Sequence, residues 1–261
     1  MARFCSLLSS SSGNCSFIGS SDGGILVDAG ASARQITTKL DCIGVSPADI
    51  GAIFVTHEHS DHIKGLRVFA SKNKIPVYAT AGTIRELIKS KVADGSFEIN
   101  PIEDGLEIFG QQITHFKTSH DVAESCGYII NTSDDRKIGI ATDTGIITDE
   151  MRKELSGCDL VMIESNHDIG MLRNGNYPYL LKRRILSDVG HLSNNVCSEF
   201  VTELLHNGTT RFVLGHLSKE NNIPELAYQT SKSALQCEGA VENRDYILKV
   251  AGPDKSEMVI L

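Results

Sequence analysis

The chain of 261 residues is 41% hydrophobic and 22% charged, with 23 glycines, no tryptophan and a formal charge of −8. This is an ordinary globular composition, long enough for one large α/β domain or two smaller ones, and its acidity counts against a protein that coats nucleic acid through bulk surface charge. No apolar run approaches the length of a membrane span, and Met1 to Ser6 lacks the apolar stretch of a secretory leader.

Read in order, Arg3 to Leu7 alternates as a strand, Ser9 to Asn14 is a Ser/Gly/Asn loop, and Ser16-Phe17-Ile18 resumes the strand pattern. Ser20 to Gly24 is turn chemistry, and Gly24 to Asp28 is a buried strand broken by Ala29-Gly30. Ser32 to Cys42 reads as helix, with Ile36 and Leu40 on one face, and Ser46 to Asp49 as a turn before the strand Ala52 to Val55. Helix is expected over Ile63 to Asn73, a short strand over Ile75 to Ala79, and helix again from Ala81 to about Val92. From Phe97 to Ile140 the pattern is β-rich, with strands at Leu106 to Phe109, Ile113 to Phe116, Cys126 to Ile130 and Lys137 to Ile140. Gly110-Gln111 and Ser133-Asp134-Asp135 suit hairpin turns.

The second half alternates. Thr148 to Leu155, Tyr179 to Leu186, Asn195 to His206 and Pro224 to Gln236 read as helices; Asp159 to Ile163, Arg211 to Leu214, Tyr246 to Val250 and Met258 to Leu261 read as strands. No linker or tandem repeat divides the chain, so residues 1–261 are expected to form one domain. The economical packing is an α/β four-layer αββα sandwich, with two mixed sheets face to face and helices outside. The seven cysteines contain no C-x-x-C pair, which argues against a disulfide framework or zinc ribbon and fits a reducing cytoplasm.

Chemistry concentrates in Thr56-His57-Glu58-His59-Ser60-Asp61-His62, directly after the apolar run Ala52 to Val55. Imidazoles and carboxylates are the donors that first-row divalent ions prefer. These donors crowd too closely for one tetrahedral ion, so they divide naturally: His57 and His59 to one metal, Asp61 and His62 to another. Two such ions can share a bridging hydroxide and clamp a phosphate. Further ligands are then required at other strand ends, and three candidates follow apolar strands: His120, Asp143 and His216.

The order H-x-H-x-D-H, then His, Asp and His, resembles the metallo-β-lactamase superfamily, whose αββα sandwich carries a two-metal site on one edge. The resemblance covers almost the whole chain. It implies His57, His59 and His120 on one metal, Asp61, His62 and His216 on the other, and Asp143 between them. Glu164-Ser165-Asn166-His167-Asp168, Gly190-His191-Leu192-Ser193 and Gly215-His216-Leu217-Ser218 resemble the late motifs of transfer-RNA 3′-processing phosphodiesterases. By that likeness Glu164 and His191 protonate the leaving oxygen, although no long Gly/Pro-rich insertion is present to form an RNA-binding arm. The Ser9 to Cys15 start, the Glu164 to Asp168 motif, the run Leu172 to Pro178 and Gly190 to Asn194 are similar to the small bacterial YycJ/WalJ/VicX-like group. That group implies a cytoplasmic hydrolase of DNA, with 5′-to-3′ exonuclease activity, a two-metal-bound hydroxide as nucleophile, and Asp61, Glu164 and His191 as the catalytic residues.

The residues leave other points open. The ligand set suits Zn, Mn or Fe. Ser12 and Asn14 offer polar groups to a phosphate, Lys182 and Arg183 a local basic patch, and His167 a possible substrate contact. The alternative activity is hydrolysis of a small ester, thioester or lactam by the same metals. A scaffold without catalysis is disfavoured, because all seven ligand positions are intact.

Overall fold

A computed structural model of the chain describes residues 1–20, 23–253 and 256–261. In chain order the strands are β1 (Arg3–Leu8), β2 (Cys15–Ser20), β3 (Gly23–Val27), β4 (Ile50–Phe54), β5 (Val77–Ala79), β6 (Ile99–Pro101) and β7 (Leu106–Ile108). They continue with β8 (Gln111–Lys117), β9 (Cys126–Asn131), β10 (Lys137–Ala141), β11 (Leu160–Glu164), β12 (Arg211–Gly215), β13 (Ile247–Val250) and β14 (Glu257–Ile260). The helices are α1 (Ala33–Cys42), α2 (Ser60–Ile63), α3 (Leu66–Asn73), α4 (Ala81–Lys89), α5 (Asp149–Leu155), α6 (Ile169–Asn174), α7 (Tyr179–Ile185), α8 (Asn194–His206) and α9 (Pro224–Cys237).

Among the described residues the strands form two seven-stranded sheets, ordered β14-β1-β2-β3-β4-β5-β6 and β13-β12-β11-β10-β9-β8-β7. Both are mixed: β14 through β3 and β7 through β10 pair antiparallel, while β3 through β6 and β10 through β13 pair parallel. The parallel strands are covered on both faces, which explains why Gly-Gly-Ile-Leu-Val in β3 and Leu-Val-Met-Ile-Glu in β11 are buried throughout.

The two-residue period then sorts these side chains into layers. Ile25 and Val27 of β3 meet Leu160 and Met162 of β11 in the core between the sheets, joined by Phe4, Phe54 and Tyr128. Leu26 faces the other way, onto Ile36 and Leu40 of α1 and Leu66 and Phe69 of α3. Val161 and Ile163 likewise face Met151 and Leu155 of α5 and Phe200 and Val201 of α8. This is the expected αββα sandwich.

Local departures have local causes. The helix expected over Ile63 to Asn73 is split into α2 and α3 at Gly65, where a Cβ would lie 1.9 Å from the Ala31 carbonyl oxygen. The Gly65 N–H instead donates to the Ala29 carbonyl at 2.9 Å, tucking the loop after β3 beneath α2. The β7–β8 turn sits one residue earlier than expected, on Phe109 and Gly110, both left-handed (φ 50° and 70°) as a type I′ turn requires. Strand β6 was not resolved within the β-rich stretch; it lies at a sheet edge, where Pro101 costs no ladder bond. Helix α6 is a further addition, too short for a periodic signal and held at its start by the Asp168 carboxylate, which accepts from the Met171 N–H at 2.7 Å. The turn expected over Ser20 to Gly24 lies partly on residues 21 and 22, outside the described residues.

Tyr128 ties the sheets together at the edge that carries the histidine loop. It is fully buried, packs 5.6 Å from the Phe54 ring, and its hydroxyl donates to the Val55 carbonyl at 2.7 Å. Tyr128→Phe keeps the ring but strands a buried carbonyl, so a loss of about 1–3 kcal/mol is expected. Thermal melting should show a fall of roughly 2–4 °C per kcal/mol; an unchanged melting temperature would refute this account of the bond.

Candidate metal centre

The residues singled out from sequence come together where the carboxyl ends of the parallel strands meet. His57, His59, Asp61 and His62 follow β4, Asp143 follows β10, Glu164 ends β11 and His216 follows β12. His120 arrives from the second sheet, just past β8. Asp28, Asp143 and His216 all hold left-handed backbone (φ 64°, 58° and 55°). Non-glycine residues pay for that conformation, and three in one site mark a backbone held by its surroundings. At His216 the support is explicit: its N–H donates to Ser9 Oγ at 2.8 Å, and its carbonyl accepts from Asn166 Nδ2 at 2.9 Å.

Donor atoms converge in groups whose members lie within 4.8 Å of one another: His57 with His59 and His120, and Asp61 with His62 and His216. Asp143 reaches both. Its Oδ2 lies 3.1 Å from His62 Nε2, and its Oδ1 lies 3.8 Å from His120 Nε2 and 3.5 Å from His216 Nε2.

Bonding outside this cluster fixes which imidazole nitrogens face inward. The Asp28 carboxylate accepts from the Thr56 N–H (2.8 Å), from the Thr56 hydroxyl (2.9 Å) and from His62 Nδ1 (2.7 Å). Having given its only proton to Asp28, the Thr56 oxygen accepts from His57 Nδ1 at 3.1 Å. His120 Nδ1 donates to the Gly190 carbonyl at 3.1 Å, and His216 Nδ1 to Glu164 Oε1 at 2.8 Å. Each ring is thereby left with its Nε2 toward the centre. His57 Nε2 is buried without a hydrogen-bond partner. Buried lone pairs that meet no donor are costly, and a divalent cation satisfies several at once. The donor set therefore fits divalent metal, with the imidazoles oriented by outer partners in the usual way of such sites.

Electrostatics agree. Burial, reinforced by His62, holds His57 well below the ordinary imidazole value, and burial likewise lowers His120. Burial opposes the charge on Asp143, yet His216 and His62 outweigh it and keep that carboxyl well below the usual range. In the metal-free chain the neighbouring carboxylates also overcome burial at His62, which is raised, and at His216, which is raised to about 10. Those protons supply the positive charge that the site demands, and metal would displace them.

Glu164 is fully buried and completely engaged. Its Oε1 accepts from both His191 Nδ1 (2.7 Å) and His216 Nδ1 (2.8 Å); its Oε2 accepts from the N–H groups of Thr144 and Leu192, each at 3.1 Å. Burial works against its charge, but His191 and His216 bring it down to about 2. Both of its oxygens are thus occupied, and with Asp143, His191 and His216 it forms a further group of donors within 4.8 Å of one another. His191 is raised, since Glu164 outweighs burial, and its ring lies 5.0 Å from His120 and 5.4 Å from His216. Ser193, not His191, caps α8.

The substrate candidates separate. Asn14 is buried against the centre, its Nδ2 lying 3.3 Å from Asp61 Oδ2 and 3.2 Å from His62 Nε2. Ser12 is exposed and bonded to Ser10 Oγ at 2.9 Å; the N–H groups of Ser10, Ser12 and Gly13 bond within their own loop and are not open to a phosphate. His167 is buried with neither ring nitrogen partnered, and burial lowers it to about 4, but it joins none of the donor groups. Lys182 does not supply a basic patch: its ammonium caps α6 through the Arg173 and Gly175 carbonyls at 2.8 and 2.7 Å. Arg183 lies over the Tyr179 ring at 5.9 Å. Sequence reasoning missed Asp28, Thr56 and Ser9. Asp28 carried a usable signal, being a carboxylate placed just after a buried strand, as Asp143 is.

Replacing Asp28 by Asn keeps the shape but removes the carboxylate that orients His57 and His62. Metal affinity should fall about 10- to 100-fold, measured by competition with a chromophoric chelator. Affinity equal to that of the unaltered chain would dismiss the orienting role.

A β-lactamase superfamily domain model matches residues 24–217. The chain is 39% identical over 241 residues to exodeoxyribonuclease YycJ of Bacillus anthracis, covering 91% of this chain and 90% of that protein. It is 41% identical over 237 residues to exodeoxyribonuclease WalJ of Streptococcus pneumoniae, covering 89% and 88%. Among solved structures, the metallo-β-lactamase fold protein YhfI of Bacillus subtilis superposes with a TM-score of 0.73 at 17% identity, over 99% of this chain and 100% of that one. Human tRNase Z, short form, gives 0.65 at 16% identity over 98% of each chain, and at such identities the likeness concerns fold alone. With this match to the domain model and to two relatives over most of its length, the chain belongs to the metallo-β-lactamase superfamily, within its YycJ/WalJ-like group.

Proposed function

We propose that this protein is a metal-dependent phosphodiesterase that degrades DNA from an end, as a 5′-to-3′ exodeoxyribonuclease of the cytoplasm. The single observation that carries the reading is the Glu164–His191 pair, bonded at 2.7 Å and grouped with the donors Asp143 and His216. Relatives named as exodeoxyribonucleases, alike over most of both chains, support the choice of DNA.

His57, His59 and His120 would hold one divalent ion, Asp61, His62 and His216 a second, and Asp143 would serve both; Zn, Mn and Fe all suit these donors. When bound, such ions would supply Lewis-acid activation of water and positive charge for the developing oxyanion. The chain's own residues do the rest. Asp28, Thr56, Glu164 and the Gly190 carbonyl keep the imidazoles aimed. His191, held at Nδ1 by Glu164, keeps Nε2 for the departing sugar oxygen and passes it a proton as the P–O bond breaks. Asn14 steadies Asp61 from the opposite side.

His191→Ala should lower kcat on DNA by about 10²- to 10⁴-fold while metal content stays normal. The loss should be much smaller on bis(p-nitrophenyl) phosphate, whose leaving group needs no proton; equal losses on the two substrates would remove His191 from this role. Polarity is read from end-labelled single strands, where early release of a 5′ label is expected. Intact DNA after incubation with Mn²⁺, Zn²⁺ and Fe²⁺ in turn would overturn the nuclease reading.

A further inference from the structure

In an acidic chain, the placement of unpaired positive charge is informative. A groove of about 590 Å³ is lined by Ser10, Ser12, Gly13, Gln35, Lys64 and Lys219 together with the apolar Leu8, Ala31 and Pro253; none of the donors lines it, but Gly13, Lys64 and Lys219 stand within three residues of Asn14, His62 and His216 in the chain. Both lysines sit on donor-bearing segments: Lys64 closes α2 two residues after His62, and Lys219 lies in the loop three after His216. The serine loop forms the facing wall and is wired to the same centre, through Ser9 to the His216 N–H and through the Asn14 N–H to the Asp61 carbonyl at 2.8 Å.

Neither Lys64 nor Lys219 has an ion-pair or hydrogen-bond partner among the described residues, a state shared elsewhere on the surface by Arg34, Lys72, Lys74, Arg85, Lys91, Lys117 and Arg173. The grooves on other sides of the centre differ. One holds Lys64, Arg67 and Lys91 together with Glu58 and Glu86; another, which reaches the donor His120, holds Arg85 and Lys117 with Glu124. The Lys64–Lys219 groove has cations, hydroxyls and an amide but no carboxylate among its described residues. Its chemistry suits a polyanion, and its volume is that of a small-ligand pocket, room for a short stretch of one strand rather than a duplex.

We propose that this groove is the track for the single-stranded DNA backbone beside the scissile phosphate, with Lys64 and Lys219 contacting successive phosphates. The inference rests on the exonuclease reading and assigns that site its substrate path. Lysine contacts to phosphate are sequence-independent, release counterions, and so leave a signature in salt dependence.

The test measures KM for a single-stranded oligonucleotide across a salt series. For the double variant Lys64→Ala/Lys219→Ala, KM should rise roughly tenfold at low salt, and the log–log salt slope should become shallower by about 1.4, near 0.7 per lost contact. Lys64→Arg/Lys219→Arg should keep the original slope. Lys72→Ala/Lys74→Ala removes two exposed cations away from these grooves and should behave as the unaltered chain. A double alanine variant with the original KM and slope, or an equal change in the Lys72/Lys74 variant, overturns the track while leaving the nuclease reading standing. Absence of DNA hydrolysis by the unaltered chain overturns both.

Discussion

Each imidazole that could hold metal through Nε2 here is anchored at its other nitrogen by a group outside the centre, and the architecture serves that constraint. An imidazole offers a lone pair only when its proton sits on the opposite nitrogen, so an outward acceptor must be in place before an ion arrives. The Asp28 carboxylate does this directly for His62 and, through the Thr56 hydroxyl, for His57. The Gly190 carbonyl does it for His120 and Glu164 for His216. These acceptors come from both sheets and from the loop before α8, so the orientation of the rings depends on the two halves of the sandwich being docked.

Docking in turn follows from the pattern of the strands. Buried parallel strands place their carboxyl ends along one edge of each sheet, and the β3–β4 pair of one sheet faces the β10–β11–β12 set of the other. Residues just past those ends converge without long loops. Where the turn from strand to loop has to be tight, the backbone adopts left-handed conformation at Asp28, Asp143 and His216, and neighbouring side chains hold it there.

Much of this was readable from the sequence, for identifiable reasons. The strands announce themselves as apolar runs, and the metal donors as a dense local string followed by isolated residues after such runs. What escaped depends on which way a side chain turns in space. Asp28 and Asp143 occupy the same kind of position, yet one points outward to orient imidazoles and the other inward between the donor groups. Lys182 looked like a phosphate contact because it lies in a basic run. Its ammonium is instead used on the carbonyls of α6, a helix of six residues that leaves no periodic trace. Two unpaired lysines, by contrast, lie apart in sequence at Lys64 and Lys219, and only the fold brings them to one groove.

Glu164 Oε1 is shared by two imidazoles, His216 within a donor group and His191 next to it. Its other oxygen is occupied by two backbone N–H groups, so the carboxylate has no spare capacity. Electron density drawn from that oxygen by His216 is no longer offered to His191, and the reverse holds equally. Loading of the centre and basicity of the proton donor are thus tied through a single atom.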